Sequence, residues 1–532
     1  MKRALLVLAA LTFTAAAAYA DDASDKKADA KPAAAQQEPF KPDQVMTSGT
    51  VTAAGTSVDY QAVAGTLVVH PKGWDDVVDK DNKKNPDAVA SMFYAAYFKK
   101  GAAPGTRPIT FLYNGGPGSA TVWLHMGAFG PKRVVTSDDS HTPAAPYKLI
   151  DNDSSLLDVS DLVFIDAPGA GFSRVAGKDK EKAFFGVDGD AYAFSQFIQQ
   201  FLSKYGRWNS PKYLFGESYG TTRSAALINV LETEDNIDFN GVILLSQILN
   251  YSMSPDRPET NPGVDQPYML ALPTYAATAW YHHKLPGAPR ADLPKFLGEV
   301  QHFAMGDYAA ALQAGTALTA AQRNAIAIKL HNYTGLPVAY ILKANLRING
   351  GEFEKNLLDD TGMSTGRLDT RFSGPDLDPL SQRSGYDPQS AALSSAYVSA
   401  FNDYVRTQLN YGQDKTYIPS IRVGRDWNFQ HQQPGARGPG RGAVNVLVDL
   451  ANAMKYNPNL KVLLNAGYFD MATPYYQGVY EMRHLPIPQR LVPNVQFHFY
   501  QSGHMVYAHA PALKEMHDTV AAFINSTSNL NH

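Results

Sequence analysis

The sequence predicts an α/β fold, in which a mostly parallel central sheet is flanked by helices and interrupted by an inserted, largely helical cap. Short apolar runs of strand length alternate with stretches of helical spacing, a pattern typical of parallel strands joined by helices. The alternation stops near Ser254 and returns near Val444. A length of 532 residues suits one large domain with an insertion, or two domains.

The first part of the predicted core covers residues 45–254. The run 162–165 is entirely apolar, as is typical of a strand that is buried on both faces of a parallel sheet. Helical spacing extends over 191–205 and 222–232. The other predicted strands of this part are short apolar runs at 65–70, 92–98, 109–113, 213–215 and 242–245. Strands that alternate with helices in this way favour a sheet covered on both faces.

The cap is predicted over residues 255–395, a region rich in Pro, Gly, Ala and Tyr, with helical stretches and no strong strand. The second part of the core is predicted over 396–532. Its predicted elements are a helix at 444–454, strands at 461–464 and 495–500, and a last helix at 512–524. The chain is therefore expected to leave the sheet for the cap and then to return to it.

The N-terminus resembles a signal peptide for export. A positively charged start precedes an apolar run over 4–18, and a small-x-small cleavage site follows at 18–20. A membrane anchor is the alternative, but the run is shorter than the roughly 20 residues that span a bilayer. We expect a signal peptide at 1–20, a flexible linker at 21–44, and an exported protein that is periplasmic or secreted.

Charge and composition exclude several classes of function. The chain has 47 Lys+Arg and 50 Asp+Glu, so nothing indicates a nucleic-acid partner. The absence of cysteine excludes disulfides, thiolate metal sites and a cysteine nucleophile. His282-His283 lacks a carboxylate at ligand spacing, so no metal site is predicted. We predict no cofactor and no membrane span after signal cleavage, and the composition leaves the oligomeric state open.

The segment Gly216–Gly220, with the sequence Gly-Glu-Ser-Tyr-Gly, is the strongest local signal. It follows a predicted strand and begins a predicted helix, as does the sharp turn that carries the nucleophile of an α/β-hydrolase. The glycines allow such a turn, and the helix N-terminus stabilises negative charge as it develops. A serine that merely caps the helix is the alternative. The context predicts Ser218 as the nucleophile.

A serine nucleophile needs a base, and the base needs a carboxylate that orients it. In α/β-hydrolases the acid and then the histidine follow the serine along the chain. Asp470 and His504 have this order, and each lies just after a predicted strand, where the active-site loops of an open sheet gather. Asp166, also at a strand end, is the rival acid. The order predicts Asp470 and His504 as the partners of Ser218.

The segment Asn114–Gly118, with the sequence Asn-Gly-Gly-Pro-Gly, follows the strand predicted at 109–113. A glycine turn at this place can direct a backbone N–H group at the reacting carbonyl oxygen. We assign the oxyanion hole to the N–H groups of Gly116 and Tyr219, since one such donor typically contributes a few kcal/mol in the transition state. A plain Gly/Pro turn is the alternative.

Together these blocks resemble the serine carboxypeptidase family, which has the α/β-hydrolase fold. The resemblance covers about 105–250 and 440–510. Four blocks match in the family's order: Asn114–Gly118, Gly216–Gly220, Ala466-Gly467 leading to Asp470, and Gly503-His504-Met505. The resemblance implies a hydrolase that releases C-terminal residues from peptides through an acyl-enzyme.

The resemblance also implies a role for each site residue. It makes Ser218, Asp470 and His504 the catalytic triad and assigns the oxyanion hole to the backbone amides of Gly116 and Tyr219. It further implies that Asn114 and Glu217 bind the free C-terminal carboxylate of the peptide. Glu217 can do so only as a neutral acid, because a carboxylate would repel its target.

The sequence departs from the family at the partner of Glu217. In the family, two close glutamic acids share a proton, and the partner just precedes a Gly-Pro pair. Here Ala128-Phe129 precedes Gly130-Pro131, so Ala128 stands at that position. The loss favours, as an alternative, an esterase or acyltransferase with the same triad. A second alternative is a non-catalytic binding module on the same fold.

Overall fold

The computed structural model describes residues 39–77, 85–423 and 426–530. The signal peptide predicted at 1–20 lies outside these ranges and stays a prediction, as does most of the linker predicted at 21–44. Gln44, the last residue assigned to that linker, already begins the first strand. Among the described residues, no helix is both long enough and apolar enough to cross a membrane.

The strands include one at each of the predicted apolar runs. They are, in chain order, β1 Gln44–Ala53, β2 Thr56–Val69, β3 Val89–Lys99, β4 Ile109–Tyr113, β5 Lys132–Val134, β6 Leu149–Asp151, β7 Asp161–Ile165, β8 Arg174–Ala176, β9 Lys212–Glu217, β10 Gly241–Leu245, β11 Met363–Thr365, β12 Ser373–Pro375, β13 Lys461–Gly467 and β14 Val495–Tyr500.

The helices cover the sheet and build most of the region between β10 and β13. They are α1 Lys180–Phe184, α2 Val187–Lys204, α3 Tyr219–Thr233, α4 Gln266–Tyr281, α5 Leu293–Phe303, α6 Ala309–Ala314, α7 Ala320–Thr334, α8 Val338–Lys343, α9 Gly350–Asn356, α10 Pro388–Thr407, α11 Leu447–Tyr456, α12 Tyr475–Arg483 and α13 Ala510–Thr527.

The main sheet has the strand order β1-β2-β3-β7-β4-β9-β10-β13-β14, and β8 pairs with β3. From β7 to β14 neighbouring strands run parallel, whereas β1, β2 and β3 form an antiparallel edge. The predicted fold class, a mostly parallel sheet flanked by helices, is confirmed. Because the carboxyl ends of parallel strands share one edge, the loops after β4, β9, β13 and β14 gather there.

Alternate residues of the central strands face opposite sides of the sheet. In β4, Leu112 belongs to one hydrophobic core, which includes residues of α13, and Phe111 and Tyr113 belong to the other, which includes residues of α2, α3 and α11. Each side chain of this size contributes about 1.5–3 kcal/mol on full burial. Burial on both faces explains why the sequence shows continuous apolar runs here rather than alternation.

The region between β10 and β13 contains α4 to α11 and a small hairpin of β11 and β12. The hairpin lies within a segment where the sequence predicted no strong strand. A separate hydrophobic cluster joins Leu270 and Phe353 of this region to Phe469 and Tyr475, which flank the predicted acid. The cap predicted over 255–395 would end within α10, because this helix runs across residue 395. The boundaries of the cap stay a prediction.

Candidate active site

Ser218 lies at the turn between β9 and α3, in a backbone conformation that few non-glycine residues adopt. Its φ is 61° and its ψ is −129°. Its N–H donates a hydrogen bond of 2.9 Å to the carbonyl of Leu245 on the neighbouring strand, which holds the turn against the sheet. A Cβ at Gly220 would lie 2.9 Å from the carbonyl oxygen of Tyr113, too close for a side chain. The turn therefore has the geometry of a nucleophile elbow.

His504 and Asp470 lie on the loops after β14 and β13, and their side chains meet. Nδ1 of His504 is 2.8 Å from Oδ2 of Asp470, and the Asp470 side chain is fully buried. Thr473 also holds this carboxylate, because its hydroxyl donates to Oδ2 over 2.7 Å and its N–H to Oδ1 over 3.0 Å. With Nδ1 bound to a carboxylate, Nε2 of the imidazole is left to act as the base.

Two opposing effects act on the imidazole of His504. Burial by itself would lower the pKa of His504, but the charge and hydrogen bond of Asp470 raise it above its ordinary value, and Glu217 adds to the rise. Asp470 thus stabilises the imidazolium that forms when the base takes a proton.

Asp166, the rival acid, serves a different purpose. Its carboxylate accepts hydrogen bonds from the N–H groups of Thr121, over 2.8 Å, and of Phe172, over 3.4 Å. These bonds fix the turn after β7 and the segment after the first glycine turn. The structure therefore brings Asp470, and not Asp166, to His504.

The first glycine turn lies directly against the elbow. A Cβ at Gly115 would meet the amide nitrogen of Tyr219 and would lie 2.6 Å from that of Gly220 and 2.7 Å from the carbonyl oxygen of Glu217. Only glycine allows the two turns to approach this closely. The predicted donors, Gly116 and Tyr219, thus belong to two segments in contact, as an oxyanion hole requires.

Glu217, next to the nucleophile, has a buried carboxyl group that is 3% exposed. Its Oε2 accepts a hydrogen bond of 2.8 Å from the phenol of Tyr507. Burial raises the pKa of Glu217 to about 7, against the opposing effects of His504 and of hydrogen bonds from Tyr507 and Asn114. A carboxyl group with this pKa is largely neutral in mildly acidic solution.

Asn114 is buried beside the same group. Its Oδ1 accepts a hydrogen bond of 3.0 Å from the N–H of Leu124, which leaves the amide –NH₂ as a donor towards the site. Arg223 of α3, ion-paired with Asp190, donates to the carbonyl of Asn114 over 2.8 Å. These bonds tie the loop after β4 to the helix that follows Ser218.

Glu217 lacks a glutamic acid partner at position 128, and its carboxyl group bonds instead to the phenol of Tyr507. Ala128 lies in a π-helical turn, Leu124–Phe129, and is fully buried. A Cβ at the adjacent Gly127 would lie 2.7 Å from atoms of both the Tyr507 and the Tyr397 rings. Tyr507 is not among the residues predicted from the sequence, although its position three residues after His504 was a usable signal.

The strand order, the elbow after β9 and the Asp–His pair after β13 and β14 define an α/β-hydrolase. Within that class, the chain matches the family model of serine carboxypeptidases over residues 82–254. The match includes Asn114–Gly118 and the elbow and ends before Asp470. The predicted resemblance to the serine carboxypeptidase family is thereby confirmed for this part of the core.

Comparisons with individual proteins agree with this result. Serine carboxypeptidase-like 33 of Arabidopsis thaliana is 28% identical over 160 residues, which cover 29% of this chain and 31% of the relative. The match thus spans about a third of that protein's length.

Two solved structures resemble this chain at low TM-scores. Proline iminopeptidase of Mycobacterium smegmatis has a TM-score of 0.34 at 13% identity and covers 91% of this chain and 100% of its own. A carboxyl esterase of Bacillus coagulans has a TM-score of 0.35 at 13% identity, covering 87% of this chain and 98% of its own.

Proposed function

We propose that the protein is a serine-type carboxypeptidase, which releases C-terminal residues from peptides through an acyl-enzyme on Ser218. The observation that carries this proposal is the buried carboxyl group of Glu217. It adjoins the nucleophile, and its pKa of about 7 lets it hold a proton in mildly acidic solution. A neutral carboxyl group beside a serine nucleophile suits a substrate whose own carboxylate lies next to the scissile bond.

The free carboxylate of the peptide would accept hydrogen bonds from Glu217 and from the amide of Asn114. The phenol of Tyr507 holds Glu217 in place through the bond of 2.8 Å. Buried donors of this kind bind an anion strongly because water does not compete with them. Binding at this point would place the last peptide carbonyl at Ser218, which gives an exopeptidase rather than an endopeptidase.

In the proposed reaction, His504 takes the proton of the Ser218 hydroxyl as that oxygen attacks the carbonyl carbon. The amides of Gly116 and Tyr219 stabilise the oxyanion, and Asp470 stabilises the imidazolium. The C–N bond then breaks, and His504 gives its proton to the departing amine. Water, losing a proton to His504, attacks the acyl-enzyme, and Ser218 regains its proton as the shortened peptide leaves.

The test compares a peptide with a free C-terminus and its amidated twin, each incubated with the protein and with Ser218→Ala. Mass spectrometry of the products should show loss of single residues from the free peptide alone, and no product with Ser218→Ala. Equal cleavage of both peptides would contradict recognition of the carboxylate by Glu217.

A second candidate function, an esterase or acyltransferase with the same triad, is favoured by one observation: Ala128 stands where the family has its second glutamic acid. Cleavage of small esters with no cleavage of either peptide would select it. If a fluorophosphonate probe failed to label Ser218 in the folded protein, both enzymatic functions would be excluded in favour of a binding module.

Export to the periplasm or to the medium is proposed on the sequence of residues 1–20 alone. The mass of the N-terminal peptide of the exported protein tests it. Cleavage after Ala20 supports the proposal, and a protein that keeps Met1–Ala20 would contradict it.

A further inference from the structure

One loop of the inserted region contacts both loops that carry the Asp–His pair. This cap loop, residues 366–372, connects β11 to β12. On the acid side, the carbonyl of Arg367 accepts hydrogen bonds from the N–H groups of Met471, over 3.1 Å, and Ala472, over 3.0 Å, and the N–H of Thr370 donates to Phe469 over 2.9 Å. These bonds lie on either side of Asp470.

On the base side, the cap loop contacts the backbone of the histidine itself. The N–H of His504 donates to the carbonyl of Leu368 over 2.7 Å. The N–H of Gly503 donates to Oδ2 of Asp369 over 3.1 Å. A Cβ at Gly503 would lie 2.6 Å from the Cα of Asp369, so the two segments are packed without space for a side chain.

The cap loop is itself held firmly. Arg371 pairs with the fully buried Asp369 through Nη2 over 2.6 Å, and Asp387 accepts from the N–H of Arg367 over 2.7 Å. The hydroxyl groups of Thr370 and Thr278, on α4, are 2.7 Å apart. The loop is therefore bonded to α4 and to the residue before α10 as well as to the catalytic loops.

We propose that Asp369 is a positioning residue for His504, and that the cap loop sets the separation and orientation of His504 and Asp470. The inference rests on the proposed triad. An error of about 1 Å in such a pair reduces turnover on the order of 100-fold. A displacement of the inserted region would thus change the reaction rate through backbone hydrogen bonds, without any contact between Asp369 and the substrate.

The test uses a small activated ester, p-nitrophenyl acetate, because its hydrolysis needs the triad but no peptide carboxylate. Asp369→Asn keeps the side-chain shape and an acceptor for Gly503 but loses the charge that orients it against Arg371. We expect its kcat to fall about 10-fold with KM nearly unchanged, and that of Asp369→Ala to fall about 100-fold. The low-field proton resonance of the imidazole bound to Asp470 should shift or broaden in both variants.

Asp376→Asn is the matched control, since Asp376 directly follows β12 of the same hairpin and pairs with Lys355 over 3.0 Å. Its kcat and low-field resonance should match those of the unsubstituted protein even where its Tm falls. If Asp369→Ala fails to fold, the comparison of kcat and of the low-field resonance between Asp369→Asn and Asp376→Asn tests the positioning role.

Unchanged kcat and resonance in folded Asp369→Asn would overturn the positioning role, as would equal losses in Asp369→Asn and Asp376→Asn. An unsubstituted protein that hydrolysed no ester and took up no fluorophosphonate at Ser218 would instead overturn the proposed function. The two failures are therefore distinguishable.

Discussion

The phenol of Tyr507 donates a hydrogen bond of 2.8 Å to the buried carboxyl group of Glu217. A neutral phenol beside Glu217 raises no like-charge repulsion, so the raised pKa of Glu217 has burial as its main cause. Both residues lie next to catalytic candidates, one before Ser218 and the other three residues after His504. The protonation of Glu217 should therefore decide which substrates bind at a given pH.

The first prediction concerns the pH dependence of two substrate classes. Ester hydrolysis should rise with pH as His504 loses its proton, and should then level off. Cleavage of a peptide with a free carboxylate should rise in the same way but fall above about pH 7, because Glu217 then ionises, as its pKa of about 7 indicates, and repels the substrate. The loss of cleavage above this pH should appear as a rise in KM, because it reflects weaker binding of the substrate.

The measurement is kcat and KM for one peptide and one ester from about pH 5 to about pH 9. The ester is the internal control for the base, since it has no carboxylate to be repelled. A peptide KM that does not change with pH, while kcat follows the ester, would show that Glu217 does not bind the substrate carboxylate.

The second prediction is that Tyr507→Phe moves the upper limit of peptide binding to higher pH by about one to two pH units. The phenol hydrogen bond favours the ionised form of Glu217, and a hydrogen bond to a charged group contributes about 1.5–3 kcal/mol. Its removal should raise the pKa of Glu217 further. Tyr213→Phe is the control, because Tyr213 is buried and bonded to Thr527 over 2.8 Å, away from the site. A shift of this upper limit to lower pH would show that the phenol of Tyr507 does not favour the ionised form of Glu217.

The third prediction is that Gly115→Ala damages the oxyanion hole. The new methyl group would displace the backbone of the elbow, which it would meet at Tyr219, Gly220 and Glu217. We expect kcat to fall by about 100-fold or more and the free energy of unfolding by about 1–3 kcal/mol. Gly298→Ala in α5 has no atom within 4 Å of its Cβ and should leave kcat unchanged. Equal kcat of the two variants would show that the turn at Gly115 does not form part of the oxyanion hole.

The sheet could be predicted because its strands are buried on both faces. The runs at 109–113 and 162–165 are apolar throughout, and both became central parallel strands. The candidate triad could be placed because each residue follows a strand at the same sheet edge. These signals are local, so they can be recognised in the sequence without knowledge of distant contacts.

What the sequence could not predict depends on contacts between distant segments. Asp369 reaches Gly503 across 134 positions, and the phenol of Tyr507 reaches Glu217 across 290. The cap loop belongs to a hairpin of short strands, for which no periodic pattern exists. Nothing in the composition of the inserted region singles out one carboxylate among several.

The fourth prediction separates the two candidate acids. Asp470→Asn should reduce kcat on the order of 10⁴-fold, because the amide favours the wrong tautomer of His504. Asp166→Asn keeps one acceptor oxygen and loses only one of the bonds from the N–H groups of Thr121 and Phe172, so its Tm should fall while kcat of the folded protein stays within about tenfold. Steady-state kinetics with thermal unfolding of each variant checks this. The reverse order of kcat losses would assign the acid to Asp166.

The fifth prediction concerns stability. His431 lies between two carboxylates, with Nδ1 at 2.5 Å from Asp188 and Nε2 at 2.9 Å from Asp449. Burial alone would lower the pKa of His431, but these hydrogen bonds and charges raise it to about 9. The imidazolium thus connects the start of α2 to α11 and to the chain before α11.

Because the pKa is higher in the folded protein than the ordinary value of about 6.5, this contribution to stability is complete below about pH 6.5 and is lost as pH rises through about 9. His431→Gln, which keeps a polar side chain without the charge, should therefore lower the Tm at pH 6 and have a smaller effect at about pH 10. His484→Gln is the control, since His484 is exposed, and its ring bonds to the backbone carbonyl of Tyr480 and stacks on the Tyr480 ring. A Tm difference for His431→Gln that stayed constant across this range would show that the charge of His431 does not contribute to the stability.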